Sequence, residues 1–252
     1  MELKIATYNI SGGFYCGDES QEYLDREAAA SVDNKLLDEI IKTINEENID
    51  IICFQEIITT KETKYIETII NKTNLKYHDS YELSPCNLVK DTNCGLAILS
   101  KYPITNSIKE VFTNPKLSKT TSSGNTYYTY DKGYLLSTIN INDEILNLLT
   151  HHGFPFRRFN STPEQNPSVF QEFDNVINSL KPNIVTGDFN SENFMDLMNQ
   201  TNKNYKRLFN EITTVDDKRF DDILLPKEQE YISKKIIKSL SDHFLLIVEI
   251  KI

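Results

Sequence analysis

At 252 residues, 39% apolar and 25% charged, the chain can bury a sizeable core, which excludes wholesale disorder and sets the expectation of one domain over 1–252. A formal charge of −10 excludes a protein that grips nucleic acid through a generally basic surface, but not an enzyme that meets a phosphate with the help of a metal ion. No basic-then-apolar leader and no run of 18 apolar residues occurs, so the expectation is a cytoplasmic protein with no transmembrane segment and no obligate protein partner.

In chain order, residues 3–10 alternate as a strand and deliver Asn9 at its end, before Ser11-Gly12-Gly13. Residues 14–30 are acidic and irregular, which predicts a loop. The apolar positions Val32, Leu36, Leu37, Ile40, Ile41 and Ile44 make a helical stripe over 32–47. Residues 50–56 form an apolar run, as in a strand covered on both faces, and end in Glu56. A helix is expected over 62–71. His78 falls in a polar stretch and reads as a surface residue. Residues 95–104 read as a strand stopped by Pro103, and residues 107–112 and 126–140 carry more strand signal. Tyr127, Tyr128 and Tyr130 fit amphipathic strand faces better than base-stacking platforms.

Residues 140–143 (NIND) look like the turn of a hairpin, and the strand after them ends in His151-His152. A helix over 169–180 is broken by Pro182. Residues 183–190 then place Asp188 and Asn190 two apart in an extended segment, so both side chains project to one face. A carboxylate can hold or deprotonate a water while an amide donates to a phosphate oxygen; the bland reading is a Gly-Asp turn. Residues 219–225 bring Asp221 and Asp222. Residues 239–243 (SLSDH) lead into a last strand at 244–250. The cysteines Cys16, Cys53, Cys86 and Cys94 form no CxxC pair, so neither a disulfide framework nor a zinc site is indicated. Lys234, Lys235 and Lys238 read as a solvent-facing basic patch.

Several strands thus end in, or follow, a short polar signature: Asn9, Glu56, His151, Asp188 with Asn190, Asp221, and Asp242 with His243. If those ends gather at one sheet edge, the donor set is hard oxygen plus imidazole, which suits Mg²⁺ or Mn²⁺.

The segments KIATYNI, IICFQEI, GLAILSKYPI, LLTHH, IVTGDFNSE, RFDDILLP and LSDHFLL resemble, in order, the motif series of the endonuclease/exonuclease/phosphatase superfamily, across nearly the whole chain. That superfamily includes abasic-site endonucleases, pancreatic-type deoxyribonucleases, inositol-polyphosphate 5-phosphatases, neutral sphingomyelinases and deadenylases. The resemblance implies a four-layered α/β sandwich, two mixed β-sheets packed face to face with helices outside. It implies a Mg²⁺- or Mn²⁺-dependent hydrolase of phosphoester bonds, with nucleic acid as the first expected substrate. An inositol phosphate, a sphingolipid headgroup or another small phosphodiester is the second, and a catalytically silent binding protein of the same fold a third reading. It further implies Glu56 as principal metal carboxylate, assisted by Asn9 with Asp242 close by, and Asp188 as the group that orients the attacking water. By the same resemblance Asn190 donates to the phosphate, His243 stands at the scissile phosphate oriented by Asp221 (Asp222 being the register rival), and His151 serves the leaving group. His152 is the alternative one register step away. The segment 153–167, with Phe154, Phe156, Phe159, Arg157 and Arg158, is expected to face the substrate; the competing view makes its phenylalanines buried anchors.

Overall fold

The computed structural model describes residues 1–13, 34–86, 91–120, 124 and 126–252, so the loop expected at 14–30 lies outside the described residues. The first half of the chain runs β1 (Glu2–Asn9), α1 (Asn34–Glu47), β2 (Ile51–Ile58), α2 (Tyr65–Lys72), β3 (Tyr77–Pro85), β4 (Asn93–Ser100) and β5 (Ile104–Val111). A small ribbon of β6 (Ser118–Thr120) and β7 (Thr126–Tyr128) precedes β8 (Gly133–Ile141), β9 (Glu144–His152) and α3 (Pro167–Leu180). Then come β10 (Ile184–Asp188), the short helices α4 (Phe194–Leu197) and α5 (Asn199–Asn204), β11 (Tyr205–Arg207), β12 (Asp221–Pro226), β13 (Tyr231–Ile237) and β14 (Leu245–Lys251).

Two six-stranded mixed sheets result, ordered β13-β14-β1-β2-β4-β3 and β11-β12-β10-β9-β8-β5. Each has one parallel pair at its centre, β1 with β2 and β9 with β10, and antiparallel neighbours on both sides. The parallel pairs are joined through α1 and α3, since a parallel connection needs a crossover. Three apolar clusters show the layering. Leu3, Ile5, Ile51, Leu96, Leu135, Leu148, Ile184 and Ile223 fill the space between the sheets. The stripe of α1 packs with α2 on the outer face of the first sheet. The apolar face of α3 (Val169, Phe170, Phe173 and Ile177) covers the outer face of the second. At roughly 1.5–3 kcal/mol for each fully buried Leu, Ile or Phe, these clusters hold the sandwich together. The expected architecture is therefore observed.

Local chemistry accounts for most boundaries. Pro167 sits at the first position of α3, where its missing N–H costs nothing, and Lys181 ends the helix in a left-handed cap before Pro182. The expected hairpin turn joins β8 to β9, with Asn142 (φ 52°) and Asp143 (φ 76°) in the positive-φ pair that matches strand twist.

Two expected strand boundaries need correction. The strand expected at 50–56 continues to Ile58, and Glu56 lies within it at a bulge between Gln55 and Ile57. The strand signal expected over 126–140 is found in β7 and in most of β8. The strand expected over 95–104 stops at Ser100, and Ile104 opens β5. The edge strands β3 and β13 were not anticipated, because their half-exposed polar sequences carry no continuous apolar run; exposed His78 lies in β3. Of the lysines expected to face solvent, Lys235 and Lys238 are exposed, Lys235 pairing with Glu47, while Lys234 is half-buried and bonds Leu208 O and Glu211. Among the described residues no helix is long and apolar enough to cross a membrane.

Candidate active site

Parallel strands carry their C-terminal ends to one edge, and antiparallel neighbours begin there. The ends of β1, β2, β9 and β10, the starts of β8 and β12 and the turn before β14 therefore converge. This brings Asn9, Glu56, His152, Asp188, Asp221 and His243 together from both sheets.

Asp188 is at the centre and is buried. Its Oδ2 accepts from Asn9 Nδ2 at 3.0 Å and from Asn190 Nδ2 at 3.2 Å, and its Oδ1 accepts from Asn190 N at 2.7 Å. Burial pushes the Asp188 carboxyl up to about 7; charged His243 opposes this, while Asp221 and Glu56 add to it. His243 Nδ1 lies 2.8 and 3.0 Å from the two oxygens of Asp221, and its Nε2 is 3.8 Å from Asp188 Oδ2. Burial alone would lower His243, but Asp221, Asp188 and Asp242 carry it well above its ordinary value, so it is an imidazolium. Thr213 Oγ1 donates to Asp221 Oδ2 at 2.9 Å and fixes that carboxylate in turn. Asp222, one residue on, faces the opposite side and bonds Arg207 Nε at 2.7 Å and the backbone N–H groups of Leu208 and Phe209 at 3.0 Å. Alternation along β12 thus separates Asp221 at the site from Asp222 in a structural ion pair.

The same alternation decides between the two histidines. In the parallel register Asp188 lies opposite His152, and Gly187 opposite His151. His152 Nε2 is 3.5 Å from both Asp188 Oδ2 and Glu56 Oε1. His151, the histidine expected at the leaving group, points to the other face. It packs between Phe173 and Phe189 at centroid distances of 4.1 and 4.3 Å, and neither ring nitrogen has a hydrogen-bond partner among the described residues. Burial lowers His151 to about 3 and takes His152 well below its ordinary value, the latter aided by the charges of Lys132 and His243. Both are neutral.

Glu56 reaches the site because the bulge at Gln55–Ile57 turns it into the left-handed region (φ 51°), an effect no apolar-run pattern reveals. Beneath it, buried Gln55 Nε2 donates to Thr7 Oγ1 at 3.0 Å in its own sheet and to Thr150 Oγ1 at 2.9 Å in the other, tying the sheets under the site. Asn190, expected as the phosphate donor, directs its amide hydrogens to Gly153 O (3.0 Å) and Asp188 (3.2 Å). Phe154 and Phe156 are buried anchors in the outer core. Arg157 is exposed, 3.8 Å from Asp216, and Arg158 is exposed with its charge felt at His152. The residues missed from sequence are Lys132, whose Nζ is 3.6 Å from Glu56 Oε1, Thr213, and Ser241, whose Oγ donates to Asn9 O at 2.9 Å. Lys132 could have been found only by placing a strand start at Gly133.

Asp188, Asp221 and His243 put one ligand-type atom each within 4.8 Å of the others. Because Asp221 is engaged with His243, that trio is a hydrogen-bonded relay rather than a metal cage. The wider set fits a hard divalent cation: Glu56 is partly open to solvent, Asp242 lies beside the relay, and the carboxylates Glu56, Asp188, Asp221 and Asp242 gather around Lys132 and His243.

Face-to-face mixed sheets, helices on both outer faces, and carboxylates, amides and imidazoles gathered at one edge define an α/β sandwich of phosphoesterase type. The chain belongs to the Endonuclease/Exonuclease/phosphatase family, whose sequence profile matches residues 6–243. Similar solved structures include an endonuclease/exonuclease/phosphatase from Beutenbergia cavernae DSM 12333 (12% identity, 100% of this chain and 72% of that one, TM-score 0.71). The human Nocturnin catalytic domain with bound sulfate is similar at 16% identity, 99% and 93% coverage and TM-score 0.68. A mannosyl-6-phosphatase from Bacteroides thetaiotaomicron is similar at 13% identity, 99% and 100% coverage and TM-score 0.66. No curated protein sequence matches the chain.

Proposed function

We propose that the chain is a single-domain, divalent-metal-dependent phosphodiesterase in which Asp188 positions and deprotonates the attacking water. The observation that carries this reading is the setting of Asp188: a buried carboxyl near 7, oriented by Asn9 and Asn190 and facing an imidazolium. A base with that affinity takes a proton from water close to neutral pH. His243, fixed by Asp221, donates from Nε2 to the negative charge that develops on the phosphoryl oxygens. Neutral His152 donates its Nε2–H beside it, the tautomer favoured by two facing carboxylates at 3.5 Å. Glu56 and Asp242, with the second lone pair of Asn9 Oδ1, would hold Mg²⁺ or Mn²⁺, which when bound supplies Lewis-acid polarisation of the phosphate.

Nucleic acid is the first substrate class of this reading. The acidic surface favours a second, a small phosphorylated molecule, in keeping with the mannosyl-6-phosphatase among the similar structures. The test is hydrolysis of a chromogenic phosphodiester, its abolition by EDTA and its return with Mg²⁺ or Mn²⁺. Activity that survives exhaustive chelation removes the metal from the mechanism, and an Asp188→Asn variant that keeps wild-type kcat removes the base.

A further inference from the structure

Lys132 precedes β8 directly, and β8 runs antiparallel to β9, so the lysine enters the site from the same edge as His152. Its side chain is only 12% exposed. A charge so enclosed needs close partners, and no carboxylate is within direct hydrogen-bond reach of it among the described residues. The Glu56 carboxylate is 3.6 Å away, well beyond the ~2.8 Å of a charge-assisted N–H···O bond. The His152 nitrogens are at 3.0 and 3.3 Å. With His152 in its Nε2–H tautomer, its Nδ1 accepts one N–H of the ammonium at 3.0 Å. An ammonium carries three N–H donors, so these two neighbours leave at least one available to a further acceptor beside Glu56 and His152. Asn190, meanwhile, has both amide hydrogens engaged, which leaves the donation expected of it open to another group.

We propose that Lys132 is a catalytic residue that binds the scissile phosphate, its ammonium donating to a non-bridging oxygen. The inference rests on the phosphoesterase reading above. It assigns to a cation of sheet-edge origin the task expected of the Asn190 amide. A compact ammonium suits this better than a guanidinium fork, since one oxygen is to be reached between an imidazole and a carboxylate. The competing role is that of a counter-ion to Glu56, which would hold the fold and leave anion binding untouched.

The experiment is a titration with inorganic phosphate, read by ³¹P NMR and as competitive inhibition of diester hydrolysis, on wild type and on Lys132→Met, Lys132→Gln and Lys132→Arg. Phosphate affinity is expected to fall at least about tenfold in Lys132→Met, to fall similarly in Lys132→Gln and to return in large part in Lys132→Arg. KM for the diester should rise with it, while the melting temperature of the variants stays near that of wild type. A folded Lys132→Met or Lys132→Gln variant that binds phosphate within about twofold of wild type overturns the inference and leaves the phosphoesterase reading standing. If Lys132→Met does not fold, Lys132→Gln decides. Wild-type protein with no phosphoesterase activity overturns the reading of function instead, and the phosphate titration still decides for Lys132.

Discussion

His151 and His152 are adjacent in sequence and opposite in setting, and the difference can be measured. His152→Ala removes a donor beside Asp188 and is expected to lower kcat by roughly two orders of magnitude, the range for a positioned acid–base or oxyanion group. His151→Phe keeps the aromatic contacts with Phe173 and Phe189 and should leave kcat within about twofold. The reverse result would return the catalytic role to His151. The same residue sets a pH dependence of stability. Its folded value, near 3, lies below the ordinary 6.5, so the stability it contributes is present above 6.5 and is lost as pH falls toward 3. Each unit below 6.5 costs up to about 1.4 kcal/mol. The gap between the urea midpoints of His151→Phe and wild type should therefore widen in favour of the variant from pH 7 to pH 5. Midpoints that fall in parallel would show that His151 takes up its proton without penalty.

At the level of elements, strand alternation and one bulge decide which side chains reach the site. Gly187 is the point where this is most constrained: its φ is 148°, and a Cβ there would meet His151 O at 2.2 Å. Gly187→Ala should push β10 from β9, destabilise the fold by about 1–3 kcal/mol and displace Asp188 enough to lower kcat. An Ala variant with an unchanged denaturation midpoint would show that the two strands can separate freely. The central strands were legible in the sequence because their apolar runs are buried on both faces, and Asn9, Asp188 and Asp221 were legible as polar ends of such runs. His152 was legible only as an alternative, since a Thr-His-His sequence does not say which residue shares a face with Asp188; the pairing with β10 does. The setting of Glu56 was hidden for a similar reason: a bulge depends on the partner strand β4, not on the residues around 56. Lys132 was lost within a stretch that carried only general strand signal, and the edge strands were too polar to signal themselves.

For the molecule as a whole, the charge of −10 acts on any substrate approaching the site, beside which Lys132, His243 and Arg158 lie among the described residues. The field at a distance is negative, and only the last few ångströms are favourable. A nuclease that binds along a polyanion through many basic contacts loses affinity as salt rises, because it releases condensed counter-ions. Here the far field repels a polyanion, and salt screens that repulsion, with a Debye length of about 30 Å at 0.01 M and 10 Å at 0.1 M. On an oligonucleotide, kcat/KM is therefore expected to rise by a fewfold between about 10 and 100 mM monovalent salt at saturating Mg²⁺. A small monoanionic diester carries little charge to repel, so its kcat/KM should stay nearly flat over the same range. Comparing the two substrates cancels any effect of salt on the fold or on the metal. A steep fall for the oligonucleotide alone would mean a phosphate-tracking basic surface outweighs the net charge, and would favour a nuclease with an extended contact. A rise for the oligonucleotide with a flat response for the small diester would instead place recognition within reach of the sheet edge, where one phosphate and its nearest groups are all that the site can read.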